Sequence, residues 1–172
     1  MNKSSKQVIR IPKLLQSLIA LSIFRLGTHL REQTDLLRLQ VRQRSRGCLS
    51  WIQSYGNEQM QSVLVNQGYG RVISLSFSTA GGIGEEEDAE ISYGLLRISW
   101  FLKALYEGSN YYTSFQPLPL LARVSLEQIE EEGAIEEIDA QMNNNGFDGN
   151  IKNCANEAKE VTLNRFIHRR RR

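Results

Sequence analysis

Apolar residues recur at helical spacing between residues 88 and 108, and we interpret this stretch as the central helix of the fold. Its apolar stripe consists of Ile91, Leu95, Ile98, Leu102 and Leu105, and residues three or four apart share one face of a helix. Tyr93, Trp100 and Phe101 lie beside the stripe, so neighbours must cover this helix on at least two faces. Gly108 stands where a helix C-cap belongs.

The same spacing predicts helices on both sides of this one. Before it, helices are predicted from 12 to about 27 and from 35 to 56, followed by two short helices that meet at Gly68. After it, helices are predicted over 122–132, over 134–145 and from about 150 to 167. Residues 72–77 alternate as a strand would, but their place beside a glycine junction between short helices favours helix. The sequence therefore predicts an all-α fold.

The composition is that of a soluble globular protein. The chain has 172 residues, of which 41% are hydrophobic and 23% are charged, and a chain of this length can bury one core without disulfides or metals. We expect a polar N-terminal tail over 1–10, a helical array over 11–167 and a basic tail over 168–172. The apolar run 14–26 is interrupted by polar residues, so no signal peptide or membrane span is predicted. A cytoplasmic or nuclear location is expected.

The charge is unevenly distributed along the chain. Residues 1–46 hold ten Lys or Arg and two acidic residues, whereas residues 85–148 hold fourteen acidic residues and three basic ones. This segregation favours charged partners. Arg38, Arg42 and Arg46 recur every four residues, and we expect a solvated face, with a contact to nucleic acid or to an acidic partner as the alternative.

Candidate catalytic residues are few. Cys48 and Cys154 lack the spacing of a zinc site and are interpreted as small buried residues. The two histidines, His29 and His168, have no nucleophile or carboxylate at a spacing that local structure would bring together. The glycines at 81–84 lack the Gly-Lys-Ser/Thr sequence of a phosphate loop. The sequence thus predicts a protein that is not an enzyme, with no metal site and no cofactor.

Two stretches resemble each other, VLVNQGYGRVISL around Gly68 and QIEEEGAIEEIDAQ around Gly133. Each has a glycine between two short helices, and each is followed across a loop by a long helix. This order is typical of an α-solenoid, in which each unit buries its apolar face against its neighbours. The two glycines are 65 residues apart, beyond the roughly 40 to 47 residues of this class, so a unit between them is stretched or irregular.

These stretches resemble the armadillo-repeat family. Residues 56–75, 99–124 and 129–167 are similar to repeats of the importin alpha group, which carries basic nuclear localisation signals. The resemblance implies a short α-solenoid of armadillo-like three-helix repeats. It also implies a concave groove in which Trp side chains flank the lysine stems of a cargo peptide and Asn side chains bind its backbone.

The site residues that the resemblance implies are Trp100, Ala104 and Glu107, on the predicted central helix. Trp100 matches the family's Trp, and an indole face can cover lysine methylenes and attract the ammonium group. Ala104 stands where the family has Asn, so this position lacks the amide. We nevertheless interpret Trp100 first as a packed core tryptophan, with the peptide contact as the alternative. The acidic stretch 130–139 is expected to be a solvated helix flank, with a lysine-binding wall as its alternative.

The function implied is a protein-binding module, specifically a divergent or truncated nuclear-import adaptor for basic peptides. The alternative is a structural helical subunit that docks into a larger assembly through its charged ends. A nucleic-acid partner is not expected.

Overall fold

The computed structural model describes residue 11 and residues 13–24, 32–77, 88–145 and 150–163. The predicted tails, the glycine-rich acidic loop, the end of the first predicted helix and both histidines fall outside these ranges. The described residues form α1 (Leu14–Ser22), α2 (Glu32–Tyr55), α3 (Glu58–Asn66), α4 (Tyr69–Ser74), α5 (Asp88–Glu107), α6 (Pro119–Glu131), α7 (Ala134–Gln141) and α8 (Asn150–Leu163). The predicted all-α class is confirmed.

The predicted central helix is α5. Leu95, Ile98, Phe101, Leu102 and Leu105 are completely excluded from solvent, because α5 is packed most extensively on α8 and also on α2, α4 and α6. Gly108 follows the helix with φ +80°, a conformation that favours glycine over any residue with a side chain.

Two glycine corners separate short helices, as the internal resemblance predicts. Gly68 joins α3 to α4 with φ 80°, and Gly133 joins α6 to α7 with φ 68°. Both residues are left-handed N-caps. Leu64 and Ile129 are buried at the same distance before the corner, and Ile73 and Ile138 at the same distance after it.

The first corner is held by α6. Gln128 of α6 accepts a hydrogen bond from the backbone N–H of Gly70 at 3.2 Å and donates one to the carbonyl of Val65 at 2.8 Å. A Cβ at Gly70 would lie 2.9 Å from the carbonyl oxygen of Ser125. Since that contact is too close for a side chain, glycine lets α4 approach α6 there.

The arginine row on α2 is buried, so the expectation of a solvated face was wrong. Arg42 is 6% exposed and Arg46 is 3% exposed. Arg46 Nη1 lies 3.9 Å from Glu90 Oε2, and Arg97 Nη1 lies 3.5 Å from the same oxygen. At Arg46, the Glu90 carboxylate on α5 compensates a charge that would otherwise be too costly to bury.

The two cysteines differ in their exposure to solvent. Cys154 is buried on α8, as expected, whereas Cys48 is exposed on α2. The expectation for Cys48 was wrong because it lies on the outward face of α2, on the side away from the buried Arg46 and Leu49.

Candidate peptide-binding surface

Trp100 lies on the surface of α5. Its side chain is 53% exposed, and so is that of Tyr93, seven residues earlier. Ala104 is half-buried and Glu107 is exposed, and the steps of seven, four and three residues keep all four on one helical face. We call Tyr93, Trp100, Ala104 and Glu107 the α5 stripe. The core interpretation of Trp100 was therefore wrong, and the three residues implied by the resemblance share one exposed surface.

The opposite face of α5 fixes the α5 stripe in position. Phe101, adjacent to Trp100 in sequence, is fully buried and meets Tyr69 edge to face, with ring centroids 4.9 Å apart. Burial raises the pKa of the Tyr69 phenol, despite the lowering influence of Arg97 and of a hydrogen bond with Ser50. Trp100 is thus exposed on a helix whose buried faces are held in place by the core.

One end of the α5 stripe carries a cation. The guanidinium of Arg97 lies 5.9 Å from the centroid of the Tyr93 ring, within cation–π distance. Arg97 also contacts the Glu90 carboxylate. Tyr93 is thus held by Arg97, which is itself fixed by its contact with the buried Glu90 carboxylate.

A second group of exposed rings extends from α2 to the loop after α5. Trp51 stacks on Tyr55 with ring centroids 5.2 Å apart, and the Tyr55 ring lies against that of Tyr112 with centroids 4.1 Å apart. Tyr112 meets Tyr111 edge to face with centroids 4.7 Å apart. We call these four residues the aromatic cluster. Trp51 is 64% exposed and Tyr111 86%. Partial desolvation and a hydrogen bond with Tyr112 raise the pKa of Tyr55.

The loop that carries Tyr111 and Tyr112 is tied to both long helices. Thr113 Oγ1 donates to the carbonyl of Gly56, just past α2, at 2.8 Å. An antiparallel bridge between Ser109 and Phe115 closes the loop, and the N–H of Leu118 returns to the carbonyl of Leu105 at 2.7 Å. The loop therefore stays at the C-terminal end of α5 and brings its tyrosines against α2.

These contacts also give the relative direction of α2 and α5. Arg46, in the second half of α2, contacts Glu90 near the start of α5, and Tyr55, at the end of α2, contacts Tyr112 beyond the end of α5. The two helices consequently run in the same direction.

Sequence reasoning missed most of the aromatic cluster. Trp51 does not match the family's Trp position, yet its four-residue spacing from Tyr55 is the local signal of a stacked pair on a helix. No comparable signal places Tyr112 against Tyr55, because that contact depends on how the loop after α5 returns.

The acidic stretch lies on other helices. Glu130, Glu131 and Glu136 are exposed on α6 and α7. Arg71 pairs with Glu131 and, at 3.7 Å, with Glu132. The Glu131 contact raises the pKa of Arg71. These exposures agree with the expected solvated flank.

Within the described ranges no group of three His, Cys, Asp or Glu residues is arranged to hold a metal ion. Burial raises the pKa of the Cys154 thiol, which disfavours its nucleophilic thiolate form. None of the described helices has both the length and the apolar character needed to cross a membrane.

Comparison of the chain with protein-family models, with curated proteins and with solved structures found no match.

Proposed function

We propose that this chain is a non-enzymatic protein-binding module that holds an extended peptide with basic side chains against the α5 stripe. The observation that carries the proposal is the 53% exposure of Trp100 on a helix whose other faces are the centre of the core. A large aromatic residue held rigidly at a surface is typical of a binding hot spot. Its indole face attracts cations, and Glu107 on the same stripe supplies a carboxylate.

The proposed architecture is a short array of armadillo-like units. Its support is the pair of left-handed glycine corners, each followed by a short helix and then a long one. The parallel course of α2 and α5 agrees with such an array, in which long helices line one surface. Tyr111 and Tyr112 would extend this surface beyond the end of α5.

A fluorescence titration tests the peptide proposal. Trp51→Phe leaves Trp100 as the single tryptophan, and a lysine-rich peptide should change its emission in a saturable manner. The same peptide with acetylated lysines should bind weakly, because acetylation removes the cation. Absence of saturable binding, or equal binding of the acetylated peptide, would reject the basic-peptide proposal.

Two variants show whether Trp100 is the contact residue. Trp100→Ala should raise the Kd about 5- to 30-fold, as expected from the loss of one cation–π contact of about 1–2 kcal/mol. Val124→Ala, at an exposed residue of α6, should leave the Kd unchanged. A Trp100→Ala chain that binds as tightly as the control would exclude the α5 stripe.

A structural subunit is the second candidate function. Leu21, Ile23 and Phe24, at and after the end of α1, are between 41% and 43% exposed, and apolar groups clustered at a surface mark an interaction site. Such a subunit would become more stable within its assembly, whereas a peptide-binding module folds alone. Cooperative unfolding of the isolated chain, followed by circular dichroism, would favour the module.

A further inference from the structure

The outward face of α2 carries a continuous seam. Its residues are separated by alternating steps of four and three, and they are Leu37, Val41, Arg44, Cys48, Trp51 and Tyr55. Leu37 is 58% exposed, Val41 41% and Trp51 64%, Arg44 and Cys48 are also exposed, and Tyr55 is half-buried. We call this row the α2 seam.

The spacing of the α2 seam is that of a helix that packs lengthwise against another helix. A seven-residue repeat with two contact positions defines the interface of a coiled coil. Residues 37 to 55 extend for about 27 Å at 1.5 Å per residue. The buried face of the same helix, with Arg42, Arg46 and Leu49, is already packed in the core, so the α2 seam is an additional contact surface.

One flank of the α2 seam carries no charged residue, and it has little bulk at its middle. Leu36, Gln40, Gly47 and Ser54 lie on it, and a Cβ at Gly47 would meet nothing within 4 Å. A partner helix can therefore approach the backbone closely at the middle of the seam without a like-charge contact. Arg44 is the single charged residue in the seam itself.

We propose that the α2 seam is a dimer interface that receives the α2 seam of a second copy of this chain in antiparallel orientation. A two-fold axis between Arg44 and Cys48 places Leu37 opposite the partner copy's Tyr55 and Val41 opposite its Trp51. Each bulky ring then meets a smaller aliphatic side chain, and the Gly47 residues of the two copies face each other near the axis. Self-complementarity about a two-fold axis is what a symmetric dimer requires.

Charge selects the antiparallel orientation. In a parallel pair, Arg44 would face Arg44 of the second copy, and like charges in contact oppose association. In the antiparallel pair, Arg44 faces Cys48 of the second copy and lies one helical turn from its Trp51, where an indole can accept the cation. A basic peptide along the same seam would meet repulsion from Arg44.

Sedimentation equilibrium of the full chain over a dilution series tests the proposal with a matched pair of variants. Val41 and Val124 are both 41% exposed, but only Val41 lies in the α2 seam. We expect the unmodified chain to dimerise, Val41→Glu to raise the dimer Kd at least about 100-fold through burial of a carboxylate, and Val124→Glu to leave it unchanged. A chain that is monomeric at every concentration, or equal effects of the two variants, overturns the proposal.

Disulfide trapping tests the orientation in a Cys48→Ser background, where the remaining Cys154 is buried. Val41→Cys combined with Trp51→Cys should give a covalent dimer on oxidation, since residues ten apart on one helix cannot bridge within a chain. Trp51→Cys alone should not, because the two copies of residue 51 are about 15 Å apart along the antiparallel pair. A covalent dimer from Trp51→Cys alone would show a parallel pair and overturn the proposed orientation.

Discussion

The segments α3–α4–α5 and α6–α7–α8 have the same order of helices but different surroundings. Each has a left-handed glycine corner, followed at once by a buried residue, Tyr69 in the first segment and Ala134 in the second. In the first segment, α5 is packed on four other helices, whereas α8 is packed mainly on α5 and α7. The two segments share one hydrophobic core, but the long helix of the first segment is packed on more neighbouring helices than the long helix of the second.

The ion pairs differ in the same way. Glu90 of the first segment lies among buried arginines, whereas Asp139 of the second pairs with Lys159 at 2.7 Å while 50% of its side chain is exposed. Position relative to neighbouring helices, more than the type of residue, determines what a contact contributes to stability. The following predictions compare equivalent contacts in the two segments.

The largest difference is expected between Glu90→Gln and Asp139→Asn. Glu90→Gln leaves the guanidiniums of Arg46 and Arg97 without their shared carboxylate in a buried setting, so the free energy of unfolding should fall by about 3–5 kcal/mol. Asp139→Asn removes an exposed pair and should cost about 0–1 kcal/mol. Urea unfolding measures both. Equal losses would mean that the two ion pairs experience the same environment.

A smaller difference is expected between Gln128→Ala and Gln141→Ala. Gln128 connects the segments through Gly70 and Val65, and its removal leaves backbone groups unsatisfied at a cost of about 1–3 kcal/mol. Gln141 donates to Glu137 at 2.9 Å and accepts from Asn144 at 2.8 Å, both within one turn of it, so its loss leaves no backbone group unsatisfied and should cost about 1 kcal/mol. A larger loss for Gln141→Ala would contradict the bridging role of Gln128.

The two corners should respond alike to Gly68→Ala and Gly133→Ala. Both residues have positive φ, and a Cβ at either would meet no atom closer than the 3.9 Å to Arg71 Cδ. Each substitution should therefore cost about 1–2 kcal/mol, which is the conformational strain alone. Thermal unfolding of the two variants measures the cost, and values that differ by more than about 1 kcal/mol would show that the corners are not equivalent.

Local features of the fold could be predicted from the sequence. The apolar stripe of α5, its end at Gly108 and the corners at Gly68 and Gly133 depend on spacing and on the conformational freedom of glycine, which neighbouring residues determine. The start of α2 was predicted at 35 and lies at Glu32, and the helix then continues without interruption to Tyr55. Helix ends are less well defined by pattern than helix centres.

Features that depend on distant partners could not be predicted. The arginine row has the spacing of a solvated face, and the buried Arg46 meets its partner Glu90 more than forty residues later in the chain. The exposure of Trp100 could not be derived either, because large apolar residues occur on several sides of α5 and the sequence does not show which side lacks a neighbour. Trp100, Ala104 and Glu107 thus follow from the resemblance alone, and the surface that they share with Tyr93 became visible only in the structure.

The smallest expected effect is a pH-dependent loss of unfolding free energy at Tyr69, the residue after the first glycine corner, and it appears at alkaline pH. Burial raises the pKa of Tyr69 above its ordinary value of 10.0, so the folded state holds the phenol neutral while the unfolded state ionises it. This contribution to stability is complete below pH 10 and is lost as the pH rises towards the pKa of the folded state. At about pH 10.5 the loss should be slightly below 1 kcal/mol.

The variant Tyr69→Phe has no ionisable group at this position. The second corner has no ionisable group there either, because Ala134 follows Gly133. The difference in unfolding free energy between the unmodified chain and Tyr69→Phe should therefore change by this amount between pH 8 and about pH 10.5. The other tyrosines, present in both chains, cancel in the comparison. A difference independent of pH would show that the Tyr69 phenol ionises as readily in the folded chain as in the unfolded one.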